Sequence, residues 1–200
     1  MIRQRVRKYL ILMGVFLILV ASITTSALAD CGVAILDFES LRVVDSNTNH
    51  TVGDSYSEDG MTLTAFHTNP GKPHLDYAGT LSTSFAGSTM LFNGTSMGEI
   101  RLTRSDGELF DFLSMSLAEL PSFDATGLPI NFGPFDVTFI GTKKNGRSVS
   151  FTATVQPFPE TNTFKFRGFS QLTSVVWHQG AGGGPGLSTH QFDNIVVRFH

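Results

Sequence analysis

Past residue 29 the sequence breaks into short apolar runs, and that spacing limits the fold more than any single motif. The runs fall at 33–38, 61–66, 89–92, 99–103, 110–115, 135–140, 149–155, 163–166, 174–178 and 192–199. Clusters rich in Gly, Asn, Ser and Pro separate them at 46–50, 69–73, 93–98, 105–107, 143–146 and 180–186. Strand-length runs with turn punctuation predict an all-β protein with two antiparallel sheets packed as a sandwich. The stretch 135–155 is the clearest hairpin. Phe135, Val137 and Phe139 alternate with Asp136 and Thr138, Lys143-Lys144-Asn145-Gly146 turns the chain, and Val149, Phe151, Ala153 and Val155 alternate back. Only 113–120 reads as a helical turn.

Residues 1–29 have the form of a signal peptide. Arg3, Arg5, Arg7 and Lys8 precede an apolar run at 10–23, and Ala27-Leu28-Ala29 supplies small residues for cleavage after Ala29. The run is shorter than the ~20 residues that span a bilayer. Asp30 before Cys31 departs from the Gly or Ala expected ahead of a lipidated cysteine. Residues 30–200 are expected to form one exported domain, periplasmic, at the cell surface or secreted. Removing the four basic head residues takes the formal charge from −3 to −7. Lys143, Lys144 and Arg147 are then the remaining basic cluster, which argues against nucleic acid or an anionic membrane as a partner. Cys31 is the single cysteine, so no internal disulfide staples the domain.

All but one of the 18 phenylalanines lie beyond the leader, against one tryptophan. Alternating phenylalanine is packing material, whereas Trp and Tyr more often stack on ligands. His67, His74 and Asp76 share one long loop, and His178 and His190 flank the Gly-rich stretch 180–186. None of these has the close spacing of a zinc site, so solvated loop histidines are expected. Gly94–Gly98, "GTSMG", matches the G-x-S-x-G pattern around Ser96. Strand-like "EIRLT" follows instead of a helix, so the glycines read as a hairpin turn rather than a nucleophile elbow. Glu58, Asp59, Asp106, Glu108 and Asp111 are acids in or near loops, where solvation is the default.

The closing stretch "THQFDNIVVRFH" carries an anomaly. Period two puts Asp193 on the same face as Ile195, Val197 and Phe199. A carboxylate there needs backbone N–H groups, a basic side chain or a metal ion.

The segments "LDFESL", "YSEDGMTL", "FRGFSQLTSVVWHQG" and "HQFDNIVV" together resemble a class of exported bacterial β-sandwich proteins. Many of these carry a PEP-CTERM sorting tail, and their domain is similar to a galactose-binding-type jelly roll. The chain ends at His200 without that tail, so processing by it is not implied. The resemblance implies a structural calcium where the first and last strands meet, with Glu39 of "DFES" and Asp193 of "FDNI" in the matching places. Calcium takes six to eight oxygens, so further ligands are needed. The stretch 54–60 offers Asp54, Ser55, Ser57, Glu58 and Asp59. The alternative for Asp193 is a hydrogen-bonded corner. The expected function is non-catalytic binding of a glycan or extracellular matrix polymer. Its candidate residues are His74 and Tyr77 in one loop region and Trp177 and His178 in another; Trp177 also reads as core. A secreted polysaccharide hydrolase and a purely structural or adhesive protein are the competing classes. Oligomeric state is not legible.

Overall fold

The computed structural model describes residues 32–66, 73–95, 98–123, 126, 129–130, 133–178 and 189–200. The expected leader, Cys31, His67, Ser96 and the Gly-rich stretch at 180–186 lie outside the described residues. Strands follow one another as β1 (Val33–Leu36), β2 (Asn49–Gly53), β3 (Ser55–Glu58), β4 (Met61–Phe66), β5 (Leu75–Ala78), β6 (Leu91–Asn93), β7 (Glu99–Arg104) and β8 (Phe110–Leu120). They continue as β9 (Ser122–Phe123), β10 (Pro129–Ile130), β11 (Phe135–Lys143), β12 (Ser148–Val155), β13 (Thr161–Lys165), β14 (Leu172–His178) and β15 (Thr189–Phe199). Among the described residues a single 3-10 turn, Glu39–Leu41, interrupts them.

Every strand pairing is antiparallel. Sheet one runs β2-β5-β6-β15-β8-β13, with β1 beside the second half of β15. Sheet two runs β12-β11-β14-β7-β4-β3. A single pair, Leu172 with Phe110, joins them. This is the two-sheet antiparallel jelly-roll sandwich that the run spacing and the resemblance predict.

Phenylalanine fills the space between the sheets. Trp177 of β14 meets Phe192 of β15 edge-on, with centroids 5.3 Å apart. Phe166 packs 4.3 Å from Phe112 of β8 and 4.8 Å from Phe139 of β11. Phe38 closes on Phe192 at 5.9 Å. Offset and edge-to-face rings add to the area they bury.

Three sequence expectations fail here, each for a physical reason. The segment 113–120 is strand, the second half of β8. That strand is buried on both faces over much of its length, so its apolar residues do not alternate. The turn at 93–98 is not a hairpin, because β6 belongs to sheet one and β7 to sheet two. The stretch 54–60 is not an open loop but β3 with its tight turn to β4, where Asp59 has φ 46° and Gly60 φ 77°.

Candidate functional site

Three connections between the sheets leave the sandwich at one end. β4 ends at Phe66, β7 begins at Glu99 and β14 ends at His178, and these three residues stand side by side across sheet two. Leu75, which opens β5, pairs with Asn93, which closes β6, on sheet one. The two loop regions singled out in the sequence, 67–77 and 177–190, therefore depart from strands two positions apart. Sequence distance hides this, since β5 to β13 all intervene along the chain while β7 alone intervenes in the sheet.

At this end lies a groove of about 830 Å³ lined by Thr51, Gly53, Asp54, Thr64, Ala65, Phe66, Pro73 and His74. Its walls come from both layers: the β2–β3 passage on one side and the last turn of β4 on the other. The Ala65 N–H donates to Asp54 O at 2.8 Å and fixes that passage against β4. Arg101 lays its guanidinium 4.5 Å from the Phe66 ring centroid, a cation–π contact that orients the ring. His74 Nε2 and Asp76 Oδ2 lie 3.2 Å apart. Both press on Gly94, where a Cβ would collide with them. Gly94 thus serves close packing under the imidazole, which accounts for one glycine of "GTSMG".

The candidate binding residues do not stay together. His74 borders the groove. His178 is exposed on the outer face of sheet two, with its Nε2 3.3 Å from Glu99 Oε1. Trp177 and Tyr77 correct the expectation of exposed stacking rings. Trp177 has 0% exposure amid Phe139 and Phe192. Tyr77 is buried and stacks on His50 at 5.3 Å. Rings so placed present little or no face to a sugar. Phe66 is the aromatic that sequence reading missed; as the last residue of an alternating strand it reads as core.

The second cluster surrounds Asp193, and here period two misleads. Asp193 pairs with Ser116 but Val196 with Ser114, so three steps on β15 match two on β8. The bulge centres on Asn194, at φ 50°, a conformation asparagine tolerates. Phe192 faces the core before the bulge, and Ile195 and Val197 face it afterwards. Asp193 therefore points to the other face of sheet one. It is nevertheless 1% exposed, covered by the segment around Ser84 and Ser88, with Gln191 Nε2 donating to Ser84 O at 3.0 Å beside it.

Neutral donors surround the Asp193 carboxylate. The Ser88 hydroxyl and the Asn194 amide donate to Oδ2 at 2.7 and 2.8 Å, and the Asn194 backbone N–H donates to Oδ1 at 2.6 Å. Glu39 opens the 3-10 turn rather than ending the first strand. Its Oε1 accepts the Thr89 N–H at 2.9 Å, and its Oε2 lies 3.1 Å from Arg42 Nη1. Adjacent residues Ser88 and Thr89 thus tie the two carboxylates to one segment. Burial above all, then the nearby Glu39 and Asp37 charges, pushes the Asp193 carboxyl up to about 6 against the pull of its hydrogen bonds. Glu58 is held above its usual value chiefly by burial, although it accepts the Phe38 N–H at 3.2 Å.

Two further expectations of solvation are overturned. His190 is wholly buried near Phe135, and burial lowers its imidazole to about 3. Asp111 is buried in β8, accepting the Gln171 N–H at 2.9 Å and lying 2.6 Å from His200 Nε2. Among the described residues no group of three or more His, Cys, Asp or Glu side chains is placed to hold a metal ion. No helix among them is long and apolar enough to cross a membrane.

No protein-family model and no curated protein matches the sequence. Among solved structures, a family 29 carbohydrate-binding module aligns over 76% of this chain and 88% of its own, at 14% identity and a TM-score of 0.37. The family 32 module of C. perfringens NanJ in complex with galactose aligns over 76% of this chain and 100% of its own, at 13% identity and a TM-score of 0.38. A variant family 29 module complexed with mannohexaose aligns over 84% and 91%, at 12% identity and a TM-score of 0.35. Likeness at these values carries nothing about the site, which rests on the side chains described above.

Proposed function

We propose that the protein is an exported, non-catalytic binding module for a glycan or extracellular polymer, and that the ligand lies in the groove beside Phe66. One observation carries this reading: an open cleft lined by an aromatic residue, Phe66, together with Thr51, Thr64 and His74. Sugars present apolar C–H faces and rings of hydroxyls, and an aromatic flanked by hydrogen-bonding groups meets both. Among the described groove residues Asp54 is the one carboxylate. A glycan array probed with the purified protein should show retention of an oligosaccharide class, with no release of reducing ends on incubation. Reducing-end release that disappears in Asp54→Asn would instead establish the hydrolase reading.

We further propose that the Asp193 corner takes a structural calcium ion. Its groups suit a hard cation in type: the Asp193 and Glu39 carboxylates, with the Ser88 hydroxyl and the Asn194 amide oxygen as neutral oxygens. Asp193 is buried near two other acids, and its hydrogen-bond donors are all neutral. A bound cation would offset that concentration of negative charge. An ion held by the native state alone stabilises by ~2.7 kcal/mol at a hundred times its dissociation constant. Excess EDTA should therefore lower the melting temperature by several degrees, and Asp193→Asn should abolish the dependence. An unchanged melting curve in metal-free protein would leave Asp193 as a hydrogen-bonded corner.

A further inference from the structure

Sheet two ends on β12, and this edge is built unlike the others. The β11–β12 register runs from Phe135 opposite Val155 to Thr142 opposite Ser148. At the turn the Lys143 N–H donates to Arg147 O at 2.8 Å. Hydrogen-bonded pairs alternate along an antiparallel ladder, so Val149, Phe151, Ala153 and Val155 bond to β11. Ser148, Ser150, Thr152 and Thr154 turn their backbone groups outward. Among the described residues no strand but β11 pairs with β12.

Other edges are short, irregular or charged. β2 ends in Gly53 with a register shift, β3 has 4 residues ending on Glu58, and β13 has 5 ending on Lys165. β12 has 8 residues, "SVSFTATV", with no charge, proline or glycine. An edge without such defences is a template for another strand.

We propose that β12 is the pairing edge for a second copy of this chain, joined antiparallel about a two-fold axis. Outward-facing residues must oppose outward-facing residues, and the register that pairs all four of them, Ser148 with Thr154, sets Ser150 of each copy opposite Thr152 of the other. Charge selects the copy as occupant. Lys143, Lys144 and Arg147 stand at one end of β12, while Glu160 and Asp136 (hydrogen-bonded to Thr154 at 2.7 Å) stand at the other. Antiparallel pairing brings the basic end of each copy to the acidic end of its partner. The surface is thus complementary to itself.

Sedimentation velocity over a concentration series tests this on the purified protein. The wild type should dimerise reversibly, more tightly at low salt. Thr152→Pro removes one outward N–H without touching the β11 ladder, as edge strands tolerate. It should be monomeric throughout, with an unchanged circular dichroism spectrum. Lys144→Glu/Arg147→Glu, on an exposed turn, should weaken the dimer even if the proline disturbs the strand. A wild type that stays monomeric at every concentration overturns the proposal. So does a dimer that neither variant weakens.

Discussion

The groove beside Phe66 and the corner around Asp193 both gather polar side chains, but they use them in opposite ways. In the corner, three donors from Ser88 and Asn194 converge on Asp193 and the Thr89 N–H is accepted by Glu39, within a packed surface. In the groove, Thr51, Thr64 and His74 face an open volume. The corner has spent its hydrogen bonds on the fold within a packed surface, whereas the groove residues border a volume that a ligand can enter. On the proposed reading, ligand recognition falls at the end where the connections between the sheets cluster, and the buried acids serve stability.

The largest effect expected from this contrast concerns the two aromatics. Trp177→Ala removes a ring packed on both sheets and should cost about 3–5 kcal/mol by denaturant unfolding. Phe66→Ala removes a half-buried ring and one cation–π contact and should cost about 1 kcal/mol or less. Equal costs would erase the distinction between core and groove.

A smaller effect follows from the two buried titratable groups, which pull in opposite directions. The Asp193 carboxyl is raised to about 6, so the folded state holds its proton more tightly than the unfolded chain. Its contribution is fully present below about 4, the ordinary carboxylate value, and is lost as pH rises through about 6. His190 is lowered to about 3. Its contribution is present above about 6.5 and is lost as pH falls toward 3. In calcium-free buffer Asp193→Asn should flatten the decline of stability on the rising side. His190→Phe should flatten the decline on the acid side. A stability profile unaltered by either change would contradict the buried placement of these groups.

Smallest of all should be His178→Ala, which breaks an exposed pair with Glu99 worth at most ~1 kcal/mol. A melting temperature within about a degree or two of wild type is expected.

The sequence made the sandwich legible where one face of a strand meets water. The 135–155 hairpin appears with the register its alternation implies, because β11 is buried on one face only. β8 was illegible for the opposite reason: apolar residues on both faces leave no period to read. The Asp193 anomaly was visible but its side was misjudged, since a one-residue bulge reverses every later residue. Asn194, ahead of a β-branched run, was the available signal. Of the residues lining the proposed groove, His74 stood out in the sequence as a loop histidine, while Phe66 looked like any other strand phenylalanine. The groove depends on β2 and β4 meeting from different sheets, and although the two are near neighbours along the chain, no residue spacing announces that change of sheet.

The most direct measurement is a calorimetric titration of the best oligosaccharide from the array into wild type, Phe66→Ala, His74→Ala and Asp193→Asn. Binding in the groove predicts saturable heat with wild type, at least a tenfold loss of affinity for Phe66→Ala and a clear loss for His74→Ala. Asp193→Asn should bind as wild type does wherever it is folded. Undiminished affinity in both groove variants, or loss in folded Asp193→Asn alone, would contradict the assignment of recognition to the groove.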